Sequence, residues 1–99
     1  MRLCLTEDAA SDLEGIKRHT ENIDAALAER TLDHIGQILS VLRRLPHLGH
    51  DGMKPGSFEM VVPRLPIVIV YRIDRAHREE ALIVLRVYHT RRDRTSNAL

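Results

Sequence analysis

Six residues in the second half of this 99-residue chain carry the functional groups of RNA-cleaving chemistry: Lys54, Arg64, Arg72, Arg86, Tyr88 and His89. Cleavage by 2′-hydroxyl attack needs one group to take a proton, another to return one to the leaving oxygen, and cations to hold the phosphate. A Tyr-His pair among arginines and a lysine supplies those types. The same residues admit a second reading. Arg72 and Arg86 can meet the carboxylates of a protein partner or strand-end carbonyls, and His89 can close a strand through a structural hydrogen bond. Lys54 is the one basic residue in its loop, which is sparse for a protein that grips ribosomal RNA, where phosphate contacts are made by cations.

Other chemistry-bearing residues are less well placed. His47 and His50 lie three apart beside Asp51, a spacing that nominally suits a metal, but no cysteine assists and a structural zinc site takes four protein ligands. Neither a metal nor a cofactor is expected. Ser11 and Ser40 fall in helical segments with no base nearby in sequence, which gives nucleophilic catalysis no support. Arg43 and Arg44 suit a solvated helix C-terminus, where cations complement the dipole; contact with a target is the other use for them.

The elements that must position these groups are modest in size. A chain this short buries only about two thirds of its unfolded surface, so one domain over residues 1–99, helped by a partner, is the expectation. The aromatic set is Phe58, Tyr71 and Tyr88; aliphatics must build the core, and base-stacking platforms for single-stranded nucleic acid are missing. Charge is uneven: residues 1–49 hold six Lys/Arg against eight Asp/Glu, and residues 50–99 nine against six. This mild asymmetry suits an acidic protein partner rather than nucleic acid. Cys4 is single, so no intramolecular disulfide forms. With no apolar signal region and no apolar run near the roughly 20 residues of a membrane helix, the expectation is a cytoplasmic chain without membrane contact.

Periodicity gives the order β-α-α-β-β-β. Arg2 to Leu5 reads as a strand. Thr6 caps a helix of Glu7 to Thr20, with Glu7 and Asp8 near its positive end and Ala10, Leu13 and Ile16 at helical spacing. Asn22 can cap a second helix whose stripe is Ala25, Ala28, Leu32, Ile35, Leu39 and Leu42, widened by Ile38 and Leu45. Pro46 and Gly49 end it. His47 to Gly56 reads as a loop. A strand follows from Ser57 through Phe58, Met60 and Val62, with Pro63 and Pro66 suggesting a sheet edge and a turn. Ile67 to Ile73 is a β-branched run, Asp74 to Glu80 a polar connection, and Ala81 to Tyr88 the last strand. The expected class is α+β, with a helical hairpin packed on one face of a small, mainly antiparallel sheet.

Such a hairpin covers one face only, yet the last two strands are apolar on both. Strict alternation puts Val68, Val70 and Arg72 on the uncovered side of one strand and Leu82, Val84, Arg86 and Tyr88 on that side of the next. An exposed apolar patch flanked by arginines marks an interaction surface.

These segments together resemble the ParE/RelE superfamily of toxins from type II toxin–antitoxin systems, most closely its ParE branch. The resemblance runs from Leu-Thr-Glu-Asp-Ala-Ala-Ser-Asp-Leu-Glu-Gly-Ile through Leu45-Pro46-His47-Leu48-Gly49 and Glu59-Met60-Val61-Val62-Pro63. It is most specific at Ile69-Val70-Tyr71-Arg72-Ile73 and at Leu85 to Asp93. Two departures are Ser57, where many relatives place a basic residue, and a longer Arg75 to Glu80 turn. The resemblance implies a plasmid-stabilisation type of toxin that binds and inhibits DNA gyrase without catalysis, neutralised in a hetero-oligomer by a ParD-like antitoxin. The antitoxin's acidic and aliphatic C-terminal segment would cover Val68, Val70, Arg72, Leu82, Val84 and Arg86, and DNA would be met only through the antitoxin. The cationic rim of His89, Arg91 and Arg92 would contact the target. The alternative is a RelE-like, ribosome-dependent mRNA endonuclease using Lys54, Arg64, Tyr88 and His89.

Overall fold

The computed structural model describes residues 1–76 and 78–90. Strand β1 (Arg2–Leu5) runs into helix α1 (Glu7–Ile23), and Thr6 joins them. The Thr6 hydroxyl accepts from the Ala9 amide at 3.0 Å and donates to the Leu85 carbonyl at 2.9 Å. The cap therefore fastens the helix to a distant strand while satisfying its own first turn. Helix α1 continues three residues past the expected Thr20. Its stop is Asp24 rather than Asn22: the Asp24 amide donates to Thr20 O at 2.8 Å, and its carboxylate accepts from Ala26 N at 2.9 Å. A single residue thus closes α1 and opens α2 (Ala25–Arg44). Ile35, Leu39 and Leu42 of α2 are buried in the core, and Leu32 is half-buried at its margin.

Strands β2 (His50–Asp51), β3 (Ser57–Val61), β4 (Ile67–Asp74) and β5 (Ala81–His89) complete a sheet of order β1-β5-β4-β3-β2. β1 lies parallel to β5, and the other pairs are antiparallel. The segment read as a loop therefore contains a two-residue strand, whose His50 pairs with Glu59 and Asp51 with Phe58. It covers the outer side of β3, so β3 is not the sheet edge that its prolines suggested. Pro63 and Pro66 instead flank the β3–β4 turn, where Arg64 takes a left-handed φ of 69°.

The helices cover one face of this sheet. Ile67, Ile69 and Tyr71 of β4 pack there with Leu82, Val84 and Val87 of β5 against Ile16, Ile35, Leu39 and Leu42. The β5 set breaks strict alternation: its spacing is two residues, then three. The cause is a register shift, for Tyr71 pairs with Val84 while Val70 pairs with Arg86, leaving Leu85 as an extra residue on β5. This corrects the expected open surface. Leu82 and Val84, both 0% exposed, are core residues on the helix side. Ile83, paired with Arg72, takes the open-side position that alternation had given to Leu82. Arg86 and Tyr88 lie past the bulge and keep their expected side, opposite Val70 and Val68.

Among the described residues no helix is long and apolar enough to cross a membrane.

Candidate functional site on the open face of the sheet

Residues directly opposed on antiparallel strands present their side chains to the same face. The register therefore builds the open face as three rows. Val61, Val68 and Tyr88 form an apolar row; Glu59, Val70 and Arg86 form the next; Ser57, Arg72 and Ile83 form the third. The loop from Gly52 to Gly56 rises beside the last two rows, and the groove so enclosed has a volume of about 510 Å³. Val70 and Leu85 supply apolar lining, Met53 lies 82% exposed beside them, and Lys54, Arg72 and Glu59 bring charge.

Arg86 sits here with its charge already matched. Its Nε and a terminal nitrogen donate to the two carboxylate oxygens of Asp12 on α1, at 2.8 and 2.9 Å, and the Val87 amide donates to the same carboxylate at 2.9 Å. Asp12 is the better buried partner, with 14% of its side chain exposed against 41% for Arg86. The Asp12 hydrogen bonds hold the guanidinium more firmly protonated than usual, against an opposing effect of burial. The guanidinium carbon lies 5.7 Å from the centroid of the Tyr88 ring. With Thr6 on the Leu85 carbonyl, the first turns of α1 grip the bulge from both sides. The carboxylate expected from a partner is in part supplied by the chain itself, and Asp12 carried no signal that sequence reasoning used.

Tyr71 organises the other end of the sheet from the covered side. Its hydroxyl donates to Pro46 O at 2.7 Å and accepts from the Gly49 amide at 3.1 Å, and its ring stacks on Phe58 with centroids 5.4 Å apart. Burial pushes this hydroxyl above the ordinary phenol value, with the Gly49 amide partly opposing. A Cβ at Gly49 would meet Tyr71 Oη at 2.6 Å and Glu59 O at 2.7 Å, so only glycine fits. Ser57 is buried and donates to Lys54 O at 2.7 Å. It holds the loop that carries Lys54.

The residues proposed for RNA cleavage are not gathered at one point. Lys54 and Tyr88 line the groove, whereas Arg64 and His89 do not. Lys54 precedes Ser57 and Arg64 follows Val61, so the length of β3, roughly 13 Å, separates them. His89 pairs with Ile67 and meets His19 edge-on at 6.3 Å. His47 and His50 also diverge: His47 Nε2 lies 3.1 Å from an Arg75 terminal nitrogen, and His50 Nδ1 lies 3.0 Å from Asp51 O. Among the described residues no three His, Cys, Asp or Glu side chains converge as a metal site. Arg91 and Arg92 lie outside the described residues.

Comparisons with known proteins agree with this architecture. The family model of the ParE toxin of type II toxin–antitoxin systems, parDE, matches residues 3–94. A solved structure of the chromosomal ParDE system from P. aeruginosa is similar, with TM-score 0.66 and 22% identity, over 90% of this chain and 95% of that one. A YoeB/ParE toxin from Agrobacterium tumefaciens gives TM-score 0.65 and 22% identity, over 90% of this chain and 98% of that one. At that identity the likeness to these structures establishes the fold. No curated protein matches.

Proposed function

Because this chain belongs to the ParE toxin family of type II toxin–antitoxin systems, we propose that it inhibits DNA gyrase by binding, without catalysis, and is neutralised by a cognate ParD-like antitoxin. The antitoxin's C-terminal segment covers the open face over Val68, Val70 and Arg72, beside Arg86. Burying such an apolar patch contributes about 25 cal/mol per Å² before ordering costs. The toxin is then part of a hetero-oligomer that meets DNA only through the antitoxin. His89, with Arg91 and Arg92 that follow it in the sequence, is left for the target.

The observation that carries the non-catalytic reading is the Asp12–Arg86 pair. An arginine that stabilises a phosphate in cleavage must offer its donors to the substrate. Here Nε and a terminal nitrogen of Arg86, one of two arginines lining the groove, already bind an internal carboxylate. Freeing them would leave the half-buried Asp12 carboxylate with the Val87 amide but without its cation, a cost of about 1–3 kcal/mol. The wide separation of Lys54 from Arg64 points the same way.

The test is expression of the toxin without its antitoxin, with purified gyrase assayed in parallel. Filamentous cells, DNA-damage signalling, intact messages and inhibited supercoiling are expected. Rapid cleavage of messages with gyrase unaffected would replace this reading with the ribosome-dependent nuclease.

A further inference from the structure

The groove presents a fixed pattern of unpaired charge. Glu59 is half-buried in the middle row, and neither its carboxylate nor the Arg72 guanidinium forms an ion pair with any described side chain. Arg72 lies two residues along β4 from Val70, the partner of Glu59, so the two residues are diagonal neighbours on the sheet, with backbone positions about 7–8 Å apart. Lys54 lines the same groove, exposed and likewise outside any ion pair among the described residues. Arg86 differs from these three, because Asp12 already matches its charge. The groove is therefore cationic at Lys54 and Arg72, anionic at Glu59, and apolar at Val70 and Leu85 between and beside them.

We propose that Glu59 and Arg72 determine which antitoxin this toxin accepts. The complementary segment places an acidic side chain between Lys54 and Arg72, a basic one on Glu59, and an aliphatic one over Val70 and Leu85. The diagonal spacing of Glu59 and Arg72 on the sheet sets the matching spacing: two residues in an extended segment, or one turn in a helix. A half-buried carboxylate left facing another carboxylate, or left unpaired, penalises the wrong antitoxin as strongly as a correct pair favours the right one. This inference rests on the open face being the antitoxin site, and it adds the charge order that the site reads.

The test uses the full-length toxin with its cognate antitoxin. Glu59→Lys and Arg72→Glu are each expected to weaken the complex by about tenfold or more. Antitoxin libraries in which each charged residue of the C-terminal half is reversed in sign are then selected for rescue of growth. Glu59→Lys is expected to be rescued by a basic-to-acidic change and Arg72→Glu by an acidic-to-basic change, at positions two or four residues apart. Glu59→Gln, nearly isosteric, and Arg72→Gln, which removes the charge with a shorter polar side chain, give the same ranking of affinities if a charge reversal disturbs folding. Affinities within twofold of wild type in folded variants, or rescue without charge reversal, overturn the inference. Val70→Lys separates the two levels. If it abolishes binding while Glu59 and Arg72 variants bind normally, the groove stands and its charge code falls; if all three bind normally, both fall.

Discussion

The two faces of β4 and β5 are built from similar residues and do different work. On the helix side, Ile67, Ile69 and Tyr71 meet Leu82, Val84 and Val87 under two helices, and all six are at most 2% exposed. On the other side Val68, Val70 and Leu85 are no less apolar, yet they are only half-buried, because no described element crosses them. Hydrophobicity alone does not separate core from interface here. What separates them is the bulge at Leu85, which moves Leu82 and Val84 inward while leaving Arg86 and Tyr88 outward.

The strongest way to break this comparison is to exchange the faces. Leu82→Ala should destabilise the fold by about 2–5 kcal/mol, because it opens a cavity in a closed core. Leu85→Ala should cost under about 1 kcal/mol. Denaturant unfolding of both variants decides the matter; equal losses, or a larger one at Leu85, would restore strict alternation along β5.

Tyr71→Phe comes next, with an expected loss of about 1–3 kcal/mol from stranding Pro46 O and the Gly49 amide. It also predicts a pH signature. The folded state holds the Tyr71 proton more tightly than the unfolded chain, so the contribution is complete below about pH 10 and is lost as pH rises through the raised folded value. Alkaline melting should show this decline in the wild type, and Tyr71→Phe should lack that component.

Asp12→Asn sharpens the comparison from the helix side, with an expected loss of about 1–2 kcal/mol as the bidentate pair with Arg86 is broken. For a domain of this size that is roughly 5–15 °C in melting temperature. Unlike Leu82→Ala, it should also alter antitoxin affinity in molecules that remain folded, since it releases a cation into the groove. A variant that melts lower but binds normally would make Asp12 purely structural.

Much of this was legible in the chain. Helical spacing placed Ile35, Leu39 and Leu42 in the core, Thr6 announced the first helix, and the two-sided apolar strands announced an uncovered face. The bulge was not legible, because a period-two pattern contains no mark for an inserted residue, and so Leu82 and Val84 were given the wrong side. Its supports are long-range: Thr6 reaches Leu85 across 79 positions, and Asp12 reaches Arg86 across 74. The family-like segments turn out to be joined in pairs. The opening segment grips Leu85-Arg86-Val87, and Pro46 to Gly49 grips Tyr71. At Ser57 the structure shows a local role, the hydroxyl closing the turn that carries Lys54.

The division of labour between the faces is tested most directly by antitoxin affinity in Val70→Lys, read beside its melting temperature, with Asp33→Lys on the exposed side of α2 as control. If the open face is the binding surface, Val70→Lys melts within a few degrees of wild type, about 0.5 kcal/mol, and binds antitoxin at least about tenfold more weakly, while Asp33→Lys binds normally. Wild-type affinity in a folded Val70→Lys toxin would contradict it.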